Sequence, residues 1–309
     1  MWRRLARWVV PGPVHAWGRT RLHHHRQRRV ARLPAVGEDE FRRLLAEDLG
    51  LASGQVVFVH ASLVGLHLAF PFYRVLALLR EAVGPTGTLL FPSTQLRERP
   101  ETWLARDEVF DVRLHPTSMG VIAELARRQR GACRSLHPTH AVAALGPLAG
   151  DLTRAHGTSP WPCGAGSPFA ALAEVGGRII GLGVDPSVLT FVHCVEDLWP
   201  TGFPVQTRRE QLYGGRVVAA DGCEHRIQTL VAHPRIRWRN IPTYARRHLP
   251  AAVCQVHHRY GAPFYAAAAA PLLAAMADLA ARRVTIYTRL IHRGCPTEPP
   301  LSWLAGRLG

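Results

Sequence analysis

The chain of 309 residues contains no lysine, so its entire positive charge comes from arginine. The net charge is +16 and the pI is about 11.0. An all-arginine composition with abundant alanine and glycine can also reflect a GC-rich coding bias, so the high pI is weak support for nucleic-acid binding. The charge is also uneven, because residues 1–34 hold nine arginines and no acid, which leaves only +7 for the rest of the chain.

Other absences exclude whole classes of protein. The six cysteines form no Cys-x-x-Cys pair and no secretory signal is present, so we expect free thiols and a cytoplasmic location. The long apolar stretch from Ala262 to Ala281 consists mainly of alanine and is interrupted by Pro271 and Asp278, so we expect a helix of the folded body rather than a membrane span. With 47% hydrophobic residues, the chain can bury a large core.

Several catalytic motifs are missing as well. The chain has no Walker A loop, no Gly-x-Ser-x-Gly elbow and no Gly-x-Gly-x-x-Gly after a strand. The zincin motif His-Glu-x-x-His is also absent, and we expect no metal site. These absences argue against a P-loop nucleotidase, an α/β-hydrolase and a zinc protease.

The first 34 residues predict a basic arm. They combine the nine arginines with three tryptophans, three prolines and the run His23-His24-His25. Such a segment can lie on anionic lipid or contact RNA, and a merely solvated extension explains it equally well. We therefore divide the chain into an arm, residues 1–34, and a body, residues 35–309.

The body alternates between helical and extended patterns. Buried-strand patterns cover residues 55–60, 87–92, 141–146 and 178–183, and amphipathic helical patterns cover residues 38–49, 73–83, 118–130, 168–175 and 190–198. This alternation predicts an α/β fold, a three-layer sandwich with a largely parallel central sheet. In such sheets ligands bind where loops leave the carboxyl ends of the strands.

Three boundary regions could carry chemistry. Pro116 fixes a helix entry at which the backbone amides of Ser118, Met119 and Gly120 would be free to bind a phosphate, although an ordinary capped helix fits equally well. His137, before a proline, can project from the rim of the sheet as a general base, and His140 is its competitor.

The third region is helical. His193 and Glu196 lie three residues apart and therefore share one helix face. A carboxylate there can act as a base itself or hold an imidazole in the correct tautomer, and a plain surface pair is the alternative interpretation.

Short signatures follow one another in a fixed order along the body. In sequence they are Val59-His-Ala-Ser-Leu63, Gly84-Pro-Thr-Gly-Thr-Leu89, Phe110-Asp111 with Ser118-Met-Gly120, Ser135-Leu-His-Pro138 with Ala143-Ala-Leu-Gly146, Gly166-Ser-Pro168, and Thr190 through His193 to Glu196. From about Glu38 to about Leu290, their order and spacing make the chain resemble the aminoglycoside 3-N-acetyltransferase family.

The resemblance implies an enzyme that acetylates an amine directly from acetyl-CoA, most specifically the 3-amino group of a 2-deoxystreptamine aminoglycoside. It implies that His137 is the catalytic base and that Glu196 orients it or contacts the substrate. It also implies that two segments wall the coenzyme A site, and these contain His60, Ala61, Ser62 and Leu63, and Thr117, Ser118, Met119 and Gly120.

Some residues depart from the family pattern. Ala61 and Ala141 stand where members commonly have serine, so these two positions offer no hydroxyl to the cofactor or base. Aminoglycosides are polycations and favour acidic clefts, whereas this body is basic, and Asp185 is one candidate acid for the substrate. Alternatives are an acetyltransferase acting on an amino sugar or natural-product amine, and a catalytically degenerate protein that binds anionic lipid or RNA through its arm.

Overall fold

The structure is a computed structural model that describes residues 30–287. Residues 1–29 of the basic arm and residues 288–309 of the body lie outside this description, as does the side chain of Arg237. Among the described helices, none combines the length and apolar composition needed to cross a membrane.

The centre of the fold is a seven-stranded sheet. The described strands are β1 (Val56–Ala61), β2 (Thr88–Pro92), β3 (Val109–Asp111), β4 (Cys133–Arg134), β5 (Val142–Leu145), β6 (Arg178–Leu182), β7 (Arg208–Val218), β8 (Glu224–Ala232), β9 (Cys254–Arg259) and β10 (Ala262–Ala268). The sheet order is β4-β5-β2-β1-β6-β10-β9. The three central strands β2, β1 and β6 are parallel, and the strands on both sides of them pair antiparallel.

Helices cover both faces of this sheet, which confirms the α/β sandwich. They are α1 (Glu38–Arg43), continued by a π-helical turn at Leu44–Asp48, α2 (Arg74–Val83), α3 (Pro100–Leu104), α4 (Val121–Arg127), α5 (Ala149–Thr153), α6 (Pro168–Glu174), α7 (Cys194–Leu198), α8 (Ile241–His248) and α9 (Ala269–Ala281). Strand β1 alternates between the layers, because Val56 and Phe58 pack with α6 and α9 whereas Val57 and Val59 pack with α1, α2 and α4.

The expectation of a single helix from Ala262 to Ala281 is wrong for the first part of that stretch. That stretch is strand β10 followed by helix α9. Tyr260 and Gly261, both with positive φ, form the tight turn that returns the chain from β9 into β10. Pairing with β6 and β9 on both sides outweighs the helix propensity of the alanines.

A second sheet, in the order β3-β7-β8, is a feature that the sequence interpretation missed. Its β7–β8 hairpin turns at Asp221-Gly222, where Gly222 has φ of 91°. An Asp-Gly pair between two extended runs is a hairpin signal and could have revealed it. Strand β7 lies close to the His137-Pro138 stretch, since a Cβ on Gly215 would come within 2.6 Å of Pro138. The second sheet therefore packs against the region that carries the candidate base.

Candidate functional site

A cleft of about 400 Å³ lies where the second sheet meets the end of the main sheet. Pro92, at the end of β2, and Phe169 of α6 form part of its wall, and Leu230 and Val231 of β8 form another part. Its polar lining consists of Thr94, Thr139, His140, Ser187, Thr190, His193, Arg208 and Arg239. The remaining wall is apolar, so charged groups in the cleft are partly shielded from water and interact more strongly than on an open surface.

Two of the predicted residues meet at this cleft. The chain forms a 3-10 turn at Thr190–His193 and then helix α7, rather than one continuous helix. Within this segment Nδ1 of His193 lies 3.0 Å from Oε2 of Glu196, which confirms their predicted common face. Glu196 is only 1% exposed, and its other oxygen accepts a hydrogen bond of 2.8 Å from the Tyr287 hydroxyl. No local motif marks Tyr287, because it lies 91 residues from Glu196 along the chain.

The carboxylate of Glu196 is ionised in this setting. Burial alone would raise its pKa, but the adjacent His193, the charge of Arg208 and the Tyr287 hydroxyl outweigh burial and hold the pKa below its usual value. An ionised carboxylate on Nδ1 of His193 favours the tautomer with a proton on that nitrogen. Nε2 is then the nitrogen that can accept a proton from a ligand in the cleft.

His137, the base implied by the resemblance, is completely buried. Its side chain is 0% exposed, and Nδ1 accepts hydrogen bonds from the backbone amides of Thr139 at 3.2 Å and His140 at 3.0 Å. Its Nε2 lies 3.3 Å from the Thr229 hydroxyl of β8, and its ring stacks on His156 with centroids 4.6 Å apart. The ring therefore sits behind the wall that Thr139 and His140 form.

The described hydrogen bonds of Glu196 go to residues other than His137. Within the described residues, Glu196 bonds to His193 and Tyr287. Burial, the neighbouring histidines and Arg208 together lower the pKa of His137 well below its usual value, so this ring is neutral. Glu196 is thus a hydrogen-bond partner of His193, and the role that the resemblance implies for it, orienting His137 or contacting the substrate, stays a prediction.

His140, the competing candidate, lines the cleft directly. Its Nδ1 lies 2.8 Å from the hydroxyl of Thr139. Burial lowers its pKa, and the charges of Arg208 and His193 lower the pKa further. Burial, assisted by these charges, therefore keeps this imidazole neutral as well.

In the second predicted coenzyme wall, Thr117 to Gly120, the hydrogen bonds of the backbone amides differ from those expected from the sequence. The amide of Ser118 donates to the carbonyl oxygen of Thr94 at 2.8 Å, and that of Met119 to the hydroxyl of Thr117 at 3.1 Å. Helix α4 begins after Gly120, which is its N-cap. The expectation of free amides at Ser118 and Met119 is therefore wrong, because the distant carbonyl of Thr94 and the neighbouring hydroxyl of Thr117 satisfy these two donors. Met119 nevertheless lines the cleft.

The first predicted coenzyme wall, His60 to Leu63, begins in β1 and ends in a 3-10 turn. The carbonyl oxygen of Ala61 lies 3.3 Å from the place where a Cβ on Gly120 would stand, so the two predicted walls approach each other. His60 is buried near Tyr265, with ring centroids 6.4 Å apart. Within the described residues, neither Nε2 of His60 nor the Tyr265 hydroxyl has a hydrogen-bond partner. Buried unsatisfied polar atoms are costly, so these two atoms call for a partner that the described residues do not supply.

Asp185, the candidate acid, faces a second cavity of about 450 Å³. Its carboxylate accepts a hydrogen bond of 2.8 Å from the amide of Ser187 and caps the short turn Pro186–Val188. Ser62 lines this second cavity too, and Ser187 and Val188 line both cavities. Asp185 is thus beside the His193 cleft rather than in its wall.

Two arginines of the cleft were missed by the sequence interpretation. Arg208 forms a buried ion pair with Asp197, with Nε to Oδ1 at 2.8 Å and Nη2 to Oδ2 at 2.6 Å. Asp197 also accepts a hydrogen bond of 2.8 Å from the amide of Cys163. Arg239 is exposed at the other side of the cleft. No local motif marks either arginine, because the folding of β7 and the loop before α8 brings them to the cleft.

Comparison with known proteins gives a consistent match. The family model described as aminoglycoside 3-N-acetyltransferase matches residues 58–273. Aminoglycoside N(3)-acetyltransferase VII of Streptomyces paromomycinus is 37% identical over 179 residues, which cover 51% of this chain and 60% of that protein. The match to this curated relative therefore spans less than two thirds of its length.

Solved structures match over a larger share of their chains. A structure described as AAC-IIIb binary with CoASH has a TM-score of 0.65 and 25% identity, covering 82% of this chain and 98% of that one. A structure described as AAC-VIa bound to sisomicin has a TM-score of 0.63 and 26% identity, covering 78% of this chain and 96% of that one.

Proposed function

The chain belongs to the aminoglycoside 3-N-acetyltransferase family, and on that premise we propose that it transfers the acetyl group of acetyl-CoA to a primary amine bound in the His193 cleft. The observation that carries the proposal is the pairing of His193 with the buried carboxylate of Glu196 in the wall of the cleft. Such a pair is the arrangement expected of a general base and the carboxylate that orients it.

The donor site is proposed at the edge where β1 approaches the turn before α4. His60 to Leu63 and Thr117 to Gly120 would hold the coenzyme, and the two buried polar atoms of His60 and Tyr265 support a ligand there. When bound, acetyl-CoA supplies the acetyl group as a thioester, so the new bond from nitrogen to carbon replaces the bond from carbon to sulfur and coenzyme A leaves as the thiol.

The base is needed because most amines are protonated at neutral pH and an ammonium ion cannot attack a carbonyl carbon. Nε2 of His193 would accept the proton of the acceptor nitrogen, while Glu196 stabilises the imidazolium that forms. Arg239 would assist by disfavouring the protonated form of an amine bound near it. Base catalysis of this kind typically contributes about 10²- to 10⁴-fold in rate.

The resemblance assigns the base to His137 instead, and this is the competing assignment. For His137 to act, the wall of Thr139 and His140 would have to open, since its ring is 0% exposed and both ring nitrogens already lie within hydrogen-bond distance of protein atoms. The competing assignment is supported by the family motif, and the assignment to His193 by contact with the cleft and with Glu196.

The identity of the amine that accepts the acetyl group is a more specific prediction. The family resemblance points to the 3-amino group of a 2-deoxystreptamine aminoglycoside, and the names of the relatives agree with it. An amino sugar or another natural-product amine offers the same nucleophile and is the alternative acceptor.

A binding function without catalysis is the alternative from a different class. In that case the arm, residues 1–34, would hold anionic lipid or RNA and the body would be degenerate. Thermal stabilisation of the protein by acetyl-CoA argues for the enzyme, and its absence together with arm-dependent binding to vesicles or RNA argues for the alternative.

The deciding experiment follows thiol release from acetyl-CoA with a panel of primary amines. We expect turnover in the wild type and a loss of about 10²-fold or more in kcat for His193→Gln. His258→Gln is the matched control, because His258 is an exposed histidine that does not line the cleft. His137→Gln is measured in parallel, with folding checked by circular dichroism.

The two base assignments give opposite results. Retention of turnover in a folded His193→Gln variant, with loss in a folded His137→Gln variant, would transfer the role of base to His137. Turnover by neither the wild type nor the control with any amine, together with no stabilisation by acetyl-CoA, would reject the proposed function itself.

A further inference from the structure

His140 is the second histidine of the cleft, and the base chemistry of His193 and Glu196 does not use it. It is half-buried and lines the cleft together with His193 and with Met119 of the proposed coenzyme wall. Burial and nearby charges, among them that of His193, lower the pKa of His140, so the two imidazoles lie near each other. His140 therefore stands beside the place where the acetyl group would meet the amine.

The side chain of Thr139 decides which nitrogen of His140 carries a proton. Its hydroxyl lies 2.8 Å from Nδ1 of His140 and 3.4 Å from Nδ1 of His137. Nδ1 of His137 already accepts hydrogen bonds from the backbone amides of Thr139 and His140, so its one lone pair is occupied. The hydroxyl therefore donates its proton along the shorter contact, to Nδ1 of His140.

His140 then holds its own proton on Nε2. Burial keeps this imidazole neutral, so the ring carries one proton, and Nδ1 is occupied as an acceptor. Within the described residues, no acceptor lies within hydrogen-bond distance of Nε2. This N–H is therefore available to a ligand in the cleft.

The two histidines of the cleft present opposite functions at Nε2. His193, whose Nδ1 is held by Glu196, presents a lone pair, which suits it to remove a proton from an amine. His140 presents an N–H, which suits it to donate to an oxygen that gains negative charge. Because the ring is neutral, it can do so without giving up its proton.

We propose that His140 is a second catalytic residue, which donates a hydrogen bond from Nε2 to the carbonyl oxygen of the acetyl group. The proposal rests on the proposed function and adds to it the group that stabilises the transition state. As the electron pair of the amine forms the bond from nitrogen to carbon, the π pair of the carbonyl moves onto the oxygen, where the N–H of His140 stabilises it. When the carbonyl forms again, the bond from carbon to sulfur breaks, and the sulfur takes the proton that His193 removed from the nitrogen.

Three substitutions of His140 separate a hydrogen-bond donor from a side chain that only fills space. The amide nitrogen of glutamine stands in for Nε2 and that of asparagine for Nδ1, so only His140→Gln keeps a donor at the required position. In thiol-release kinetics we expect kcat to fall about 10²-fold or more for His140→Ala and His140→Asn, with KM for both substrates nearly unchanged, and at least about tenfold less for His140→Gln. His258→Ala, which alters an exposed histidine outside the cleft, is the matched control.

The kinetic outcomes distinguish this proposal from the proposed function. An unchanged kcat in a folded His140→Ala variant, together with loss of turnover in His193→Gln, would overturn the role of His140 and leave the acetyltransferase activity intact. An increase in KM for either substrate with kcat unchanged would assign His140 to binding and would overturn that role too.

Nitrogen NMR of the histidine rings tests the tautomer of His140 without turnover. The signals of His140 are those that disappear in His140→Gln. We expect a neutral ring with its proton on Nε2 in the wild type, both tautomers in Thr139→Val, and the wild-type tautomer in Thr139→Ser, which keeps the hydroxyl. A proton on Nδ1 of His140 in the wild type would overturn the proposal even when acetylation is observed.

The same NMR signal reports whether His140 contacts the acetyl group. Acetyl-CoA and coenzyme A differ only in the acetyl group, so acetyl-CoA should shift the Nε2–H signal of His140 more than coenzyme A does. That difference would support the proposal even when no amine in the panel is acetylated. Equal shifts with the two ligands would contradict it.

Discussion

The hydroxyl of Tyr287 donates a hydrogen bond of 2.8 Å to the buried carboxylate of Glu196, whose other oxygen holds His193. Tyr287 is itself buried, at 1% exposure. The three side chains form a continuous hydrogen-bonded series from the protein interior to the cleft. Removing the inner members should therefore change how His193 behaves at the surface of the cleft.

Substitutions along this series should have graded effects. Glu196→Gln keeps the shape but removes the charge that favours the proton on Nδ1 of His193, so we expect kcat to fall about 10²-fold or more. Tyr287→Phe leaves the carboxylate in place and should lower kcat about tenfold or less. Steady-state kinetics of thiol release measures both, and Tyr213→Phe, which alters a half-buried tyrosine of β7 away from the cleft, is the control. Equal kcat values in Glu196→Gln and the wild type would show that the dyad is not used.

The buried histidine His156 should make the fold sensitive to acid. Burial lowers its pKa to about 4, against about 6.5 in an unfolded chain, so unfolding takes up a proton between these values. Its contribution to stability is complete above pH 6.5 and is lost as the pH falls toward 4, by up to about 3 kcal/mol in total.

Urea unfolding at pH 7.5 and pH 5 measures this contribution. The variant His156→Gln keeps an amide donor for the carbonyl oxygen of Pro162, which Nε2 of His156 contacts at 2.9 Å. Between pH 7.5 and pH 5, we expect the free energy of unfolding of this variant to fall by about 2 kcal/mol less than that of the wild type. An identical loss in both proteins would show that His156 does not titrate on unfolding in this range.

Gly183 should tolerate no side chain. Its φ is +65°, and a Cβ there would lie 2.4 Å from the carbonyl oxygen of Ser62. Gly176 is the matched control, because its φ is +64° but nothing lies within 4 Å of the corresponding Cβ position. Gly176→Ala should cost only the backbone strain of about 1 kcal/mol, whereas Gly183→Ala should cost at least about 2 kcal/mol more and displace the segment at Ser62.

Thermal unfolding with and without acetyl-CoA tests the Gly183 prediction. We expect acetyl-CoA to raise Tm in the wild type and in Gly176→Ala, and to raise it less in Gly183→Ala. Similar destabilisation of both variants would contradict the close approach of Gly183 to Ser62.

The unpartnered Tyr265 hydroxyl predicts two opposite effects of Tyr265→Phe, one on the stability of the ligand-free protein and one on stabilisation by acetyl-CoA. Tyr265→Phe removes a buried hydroxyl that has no hydrogen-bond partner within the described residues, so the ligand-free protein should gain about 1 kcal/mol of stability. If that hydroxyl serves the bound coenzyme, the increase in Tm caused by acetyl-CoA should become smaller in the same variant. Differential scanning calorimetry measures both changes, and an unchanged acetyl-CoA effect would remove Tyr265 from the donor site.

Much of the fold follows from local sequence patterns. The β-branched run of β1 and the amphipathic pattern of α2 each encode their own structure, and their alternation indicates the α/β sandwich. The Asp221-Gly222 turn carried a hairpin signal that was overlooked. In contrast, the alanines of β10 carry no local strand signal, and pairing with β6 and β9 keeps them extended.

The candidate site likewise combines features encoded by the local sequence with features that only the tertiary structure creates. A spacing of three residues in a helical turn brings His193 and Glu196 together wherever the segment lies, so the sequence by itself determined that pair. Only the tertiary structure decided that His140 lines the cleft while His137, three residues earlier, is covered by Thr229 of β8. It likewise decided that Tyr287, Arg208 and Arg239 meet there. The physical reason is that burial and the charge of a cleft depend on contacts between segments far apart in the chain, which short-range periodicity does not encode.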